Sequence, residues 1–258
     1  MISGSESRIS PVALVTGAGK RIGLRISEHL ARAGYAVVLH CSLSGGAEAK
    51  AEAARIASKG GKVAALSLDL ADMAALQCLI ERSRSIFGPL TLLVNNAAIF
   101  NEDEAGDFDY DQWERHFAVN LRAPAILSRD FVRQAPADAN ASIVNIVDQR
   151  VLRPTPQFFS YSLSKAALWT ATLTMAQAFA PRGIRVNAVG PGPVLPNDSQ
   201  GEVGFAREVE GLPLRRSVDL DDIAEAVLYL AKARNVTGQM IAVDAGQHLA
   251  WRTPDIVG

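Results

Sequence analysis

Short runs of consecutive apolar residues alternate with segments of helical period along the whole chain. The runs VALVT from Val12, AVVLH from Ala36, KVAALSL from Lys62, LTLLV from Leu90, SIVNIV from Ser142, IRVNAV from Ile184 and QMIAVD from Gln239 read as strands. Between them, amphipathic or Ala-rich patterns read as helices at about 21–32, 47–58, up to Ile86, 112–119, 124–133, 161–180 and 220–231. Strands that are apolar throughout, separated by helices, make a parallel sheet covered on both faces. The expected fold is α/β, in one domain spanning 1–258, since no linker or repeat divides the chain. One long irregular region, from Gly190 to about Arg216, is expected to be a lid or binding loop.

Composition narrows the setting. A chain of 258 residues that is 48% hydrophobic can bury a large core, and a net charge of −1 gives no field for nucleic acid or an anionic membrane. Cys41 and Cys78 form neither a metal spacing nor a disulfide framework, and the four scattered histidines make no metal site. MISGSESRIS lacks the apolar run of a secretory signal, and no apolar stretch is long enough to span a bilayer. A cytoplasmic protein is expected.

TGAGKRIG places Gly17, Gly19 and Gly23 where the first strand turns into the first helix. Small residues there let backbone N–H groups approach a pyrophosphate at a helix N-terminus, where the dipole favours negative charge. An acid near the end of the second strand would bind a ribose 2′-hydroxyl and repel a 2′-phosphate. This chain reads HCSLSGG from His40, with no acid until Glu48, while Lys20, Arg21, Ser42 and Ser44 stand nearby. That pattern favours NADP(H) over the alternative that Lys20 and Arg21 are solvated residues at a helix start. Asp69, after the third strand, is either an adenine contact or a helix N-cap.

Tyr161 and Lys165, four apart, share one helix face. An ammonium close to a phenol favours the phenolate, which suits proton transfer near neutrality. With TGAGKRIG, NNAA at Asn95–Ala98, Asn120, YSLSK, RVNAVGPG and the closing TGQMIAVDAG, the chain resembles the short-chain dehydrogenase/reductase family over nearly its whole length. The resemblance implies a Rossmann-type doubly wound sheet of about seven strands, a nicotinamide cofactor, and a homotetramer or dimer. It makes Tyr161 the proton donor and Lys165 the ligand of the nicotinamide ribose, with Asn120 holding a water in the proton relay. The implied cofactor contacts are Gly17, Gly19, Lys20, Arg21, Ile22, Ser42, Ser44, Asp69, Asn96, Lys165 and Gly192.

The fifth strand ends on Asp148, where most of that family carries a hydroxyl residue. A hydroxyl can donate to a carbonyl substrate, whereas an ionised carboxylate only accepts. Asp148 therefore suits a substrate that presents N–H groups or takes a proton on nitrogen, and its charge and burial should raise the Tyr161 pKa against the pull of Lys165. TGAGKRIG, IVNIVD, YSLSK and VGPG together resemble the pteridine reductases and the related bacterial dihydromonapterin reductases, which also carry Asp here. That resemblance implies NADPH-dependent reduction of a dihydropterin, dihydromonapterin- or dihydrofolate-like, to the tetrahydro form. Asp148 and Tyr161 would deliver the proton, Phe100 would stack the pterin, and Arg21 would lie between cofactor phosphates and pterin. Phe100 could otherwise be a core residue. The alternatives are a short-chain reductase of another small carbonyl or nitrogen heterocycle, or a dinucleotide-binding protein without turnover. Ala245 stands where a second glycine is usual, and Arg252 is expected near a neighbouring subunit's site.

Overall fold

The computed structural model describes residues 11–196 and 200–251. Seven parallel strands form one sheet: β1 (Val12–Val15), β2 (Ala36–Cys41), β3 (Lys62–Ser67), β4 (Leu92–Asn95), β5 (Ser142–Ile146), β6 (Arg185–Pro191) and β7 (Met240–Val243). Their order is β3-β2-β1-β4-β5-β6-β7, so the chain reverses direction across the sheet between β1 and β4. In an open α/β sheet, that switch point is where the carboxyl ends of strands leave a crevice.

Among the described residues there are eight α-helices: α1 (Arg21–Arg32), α2 (Gly46–Ala57), α3 (Met73–Phe87), α4 (Tyr110–Phe117), α5 (Ala123–Gln134), α6 (Phe159–Phe179), α7 (Gly201–Glu210) and α8 (Leu220–Lys232). The strands are apolar on both sides because each side is buried by a different helix layer. In β1, Val12 and Leu14 pack into one cluster with α3, α5 and α6, while Ala13 and Val15 pack into the other with α1, α2 and α8. None of the described helices is long and apolar enough to cross a membrane.

Two elements differ from the sequence reading. The segment 190–216 is not irregular throughout, because it carries α7. The helices expected at 112–119 and 124–133 are joined by a π-helical turn, Ala118–Arg122, which contains Asn120. Arg252 lies outside the described residues.

Candidate active site

A cavity of about 850 Å³ opens at the carboxyl ends of the strands and runs from the β2 end to the start of α6. At one end the chain turns from β1 into α1. Gly17 adopts φ +62°, and a Cβ there would lie 2.8 Å from the Ala97 Cα, so only glycine lets the β1 and β4 turns meet. Asn96 braces the turn, its side-chain amide donating to the Thr16 and Gly17 carbonyls at 2.8 and 3.0 Å. His40 accepts the Gly17 N–H on Nδ1 at 3.4 Å and holds the Leu68 carbonyl through Nε2 at 3.2 Å. Burial pushes this imidazole down to about 4, so at neutral pH it is an uncharged link between the turn and the end of β3.

The N-cap of α1, Lys20, makes no side-chain cap, leaving the helix's first N–H groups for an anion. Ser42 and Ser44 bond each other at 3.1 Å on the cavity wall, which Lys20 also lines. Gly192, directly after β6, also lines the cavity, and a Cβ on it would come within 2.6 Å of the Asp244 Cα, so only glycine lets the chain pack this closely against the end of β7. A glycine cradle, an uncapped helix start and a hydroxyl-and-cation cluster without a carboxylate fit a dinucleotide bearing a 2′-phosphate.

At the other end stands the proton-bearing group. Lys165 and Tyr161 are both buried on α6, and Asp148 follows β5. The Tyr161 hydroxyl donates to Asp148 Oδ2 at 2.9 Å. Burial first, and then the Asp148 charge and hydrogen bond, drive the Tyr161 pKa well above the ordinary phenol value. Lys165 does not reverse this. Its Nζ donates to the Ile146 carbonyl at 2.8 Å and lies 5.8 Å from the phenol ring centre, and burial pushes it down to about 8. The expected depression of the phenol pKa by Lys165 is thus outweighed by the expected opposite effect of Asp148 and burial.

Phe100 is no core residue. It is 37% exposed, lines the cavity and meets Tyr161 edge-on at 4.6 Å between ring centres. Phe158 stacks on it at 4.2 Å and 10° without lining the cavity, so Phe100 is backed from behind. Its neighbours pin it. Asn120 holds both main-chain groups of Ile99, at 2.9 and 3.0 Å, and His116 Nε2 accepts the Asn101 N–H at 3.3 Å. The Ser160 hydroxyl donates to Asp103, so His116 Nδ1–H, 2.6 Å away, donates to Ser160 Oγ and leaves Nε2 as the acceptor. A flat wall on a braced loop is suited to a planar ring.

Lys20, Arg21, Ile22, Ser42, Ser44, Asp69, Asn96, Phe100, Asp148, Tyr161, Lys165 and Gly192 all line the cavity, as does Gly17. Gly19 does not: a Cβ there would meet the Ala49 and Cys41 Cβ atoms at 3.6 Å, so it packs against α2 and β2. The Asn120 side chain is committed to Ile99 and Ser164, so it braces the loop. Asp69 is not the cap of α3, which is Asp72; Asp69 accepts the Ala71 N–H and forms a turn. Arg21 donates from its guanidinium to the Leu195 carbonyl at 3.4 Å, spanning from the glycine turn to the loop after β6.

Sequence reasoning missed Arg150 and the bracing roles of His40 and His116. Arg150 forms an ion pair with Asp148 at 3.3 Å and flanks both phenylalanine rings. Its only signal was proximity to Asp148.

A family described as enoyl-(acyl carrier protein) reductase matches residues 17–248. Among solved structures, FolM alternative dihydrofolate reductase 1 from Brucella canis, complexed with NADP, is 47% identical with a TM-score of 0.91, covering 98% of this chain and 100% of that one. The same enzyme from Brucella suis, also with NADP, is 48% identical with a TM-score of 0.90, covering 96% and 98%. An uncharacterized oxidoreductase of Methylorubrum extorquens is 36% identical over 91% of this chain and 96% of that protein.

Proposed function

The chain belongs to the short-chain dehydrogenase/reductase family of oxidoreductases, and from that premise we propose that it is an NADPH-dependent reductase of a dihydropterin, dihydromonapterin- or dihydrofolate-like, giving the tetrahydro form. The observation that carries this reading is the Tyr161–Asp148 hydrogen bond beside the Phe100 wall. Two alternative dihydrofolate reductases, each solved with NADP, share nearly half of this sequence, which supports both the cofactor and the substrate class.

Reducing a C=N bond needs a hydride on carbon and a proton on nitrogen, as reducing a carbonyl needs a hydride on carbon and a proton on oxygen. Bound along the glycine turn, NADPH supplies the hydride. Phe100 holds the bicycle flat, and the Asp148 carboxylate accepts its N–H groups. Tyr161 keeps its proton at neutral pH because burial and Asp148 raise its pKa, so it is loaded to donate. Lys165 and Asn120 serve the ribose and the returning water. The segment 190–216, whose Leu195, Phe205 and Glu208 line the cavity, acts as the lid over the bound ring.

NADPH oxidation against a panel of dihydropterins and simple carbonyls tests the reading. Turnover of a dihydropterin is expected; turnover of carbonyls alone would replace the reading with a generic short-chain reductase.

A further inference from the structure

We propose that Arg150 is a positioning residue for proton delivery: it locks the Asp148 carboxylate against Tyr161 and ties it to the Phe100 wall. This rests on the reading that Asp148 and Tyr161 deliver the proton together.

Arg150 lies in the one-turn 3-10 segment Gln149–Val151 directly after Asp148. Its main-chain N–H donates to Asp148 Oδ1 at 2.8 Å, and its guanidinium NH1 donates to Oδ2 at 3.3 Å. Oδ2 is also the oxygen that accepts the Tyr161 hydroxyl. Both carboxylate oxygens are therefore committed, which fixes the rotation of a group that would otherwise be free to turn. Asp148 is nearly buried, its side chain 12% exposed, and a charge so placed needs a cation close by. Lys165, the other buried cation near the phenol, donates to the Ile146 carbonyl. Around the phenol the charged and titratable groups are Asp148 and Arg150 from the turn after β5, Lys165 one helical turn along α6, and His116 of α4 at 6.2 Å between ring centres. Of these, Arg150 offsets the upward pressure of Asp148 on Tyr161.

The guanidinium also lies 5.7 Å from the Phe100 ring centre and 5.2 Å from that of Phe158. Because the two rings stack at 4.2 Å and 10°, these distances place the guanidinium alongside the pair and not on both faces. One side chain thus holds the acid and flanks the stacked pair. Lysine could replace the charge but not the plane.

The test uses Arg150→Met and Arg150→Lys, each alone and combined with Asp148→Asn. The main-chain bond to Oδ1 survives in all of them, so the turn itself is kept. We expect Arg150→Met to lower kcat for the dihydropterin by about tenfold or more, on the scale of coupling within one hydrogen-bonded network, with the Kd for NADPH unchanged. Arg150→Lys should recover most of kcat while KM stays raised. Arg150→Met should cost nothing further once Asp148 is Asn; losses that multiply in the double variant would overturn the proposal. A crystal structure of Arg150→Met with NADP needs no turnover and should show the carboxylate turned off Tyr161. A carboxylate still bonded to the phenol there would also overturn it. A protein that reduces no dihydropterin would end the functional reading, and the crystal structure would still decide the Arg150 assignment.

Discussion

Tyr161 and Asp148 share one hydrogen bond, 2.9 Å from the phenol oxygen to Oδ2, and the direction of that bond shapes the chemistry. A serine in place of Asp148 could donate to a substrate oxygen. The carboxylate can only accept, from the phenol and from whatever N–H the substrate brings. The same carboxylate keeps the proton on Tyr161 by raising its pKa. A site built this way keeps a proton on the phenol and has an acceptor beside it.

Cofactor choice follows from the end of β2. Ser42, Ser44 and Lys20 line that corner, and no carboxylate follows the strand. NADPH is expected to bind tighter than NADH by about tenfold or more, the scale of one or two hydrogen bonds to a charged group. Ser42→Asp should narrow or reverse that ratio. Fluorescence titration of both cofactors checks it, and equal dissociation constants in the unmodified protein would count against it.

Lys165 sets an upper pH limit. Burial pushes its ammonium down to about 8, while the Asp148 charge resists. As pH rises through that value the cation proposed to anchor the ribose is lost. Turnover at fixed substrate should fall with an apparent pKa near 8, well before Tyr161 ionises. A kcat profile flat to pH 10 would contradict this.

His40 sets a lower limit, on stability. Its folded-state value of about 4 lies below the ordinary 6.5, so between these values the unfolded chain binds more protons than the native one. Its contribution is complete above pH 6.5 and is lost as pH falls toward 4, at up to about 1.4 kcal/mol per pH unit. Urea unfolding across pH 4–7 should show that slope, and His40→Gln should flatten it. An unchanged slope in His40→Gln would assign acid sensitivity elsewhere.

The strands and most helices were legible because each strand is buried on both sides and reads as a continuous apolar run. β1 and β2 show this most plainly, with alternate residues feeding two separate cores. α7 was not legible: Gly201 and Gly204 interrupt its pattern, and none of its described side chains is buried. The π turn fell in the gap between the helices read at 112–119 and 124–133, and Pro124, read as a helix start, does stand in the first turn of α5. Tyr161, Lys165 and Asp148 were legible as types at fixed spacings. Arg150, His40 and His116 were not, because each acts through a contact made by the fold: a turn, a strand end and a buried serine. The upward pressure of burial and Asp148 on Tyr161 was legible too; that Lys165 does not outweigh it needed the fold.

Ala245 offers a test of backbone strain. It holds φ +52° just before Gly246 at φ +82°. The left-handed region costs an alanine about 1 kcal/mol, part of which glycine gives back through the entropy of the unfolded chain. Ala245→Gly is expected to raise stability by about 0.5 kcal/mol, read from the urea midpoint at constant slope. A lower midpoint would contradict it.

Asp148→Ser is the most direct measurement of the central claim. It restores a donor where the chain has an acceptor, and it leaves the glycine turn untouched. If Asp148 and Tyr161 together deliver a proton to a pterin nitrogen, dihydropterin turnover should fall by about 10²-fold or more, the scale of a general acid–base group, with the Kd for NADPH little changed. Dihydropterin turnover that survives Asp148→Ser undiminished would contradict the account.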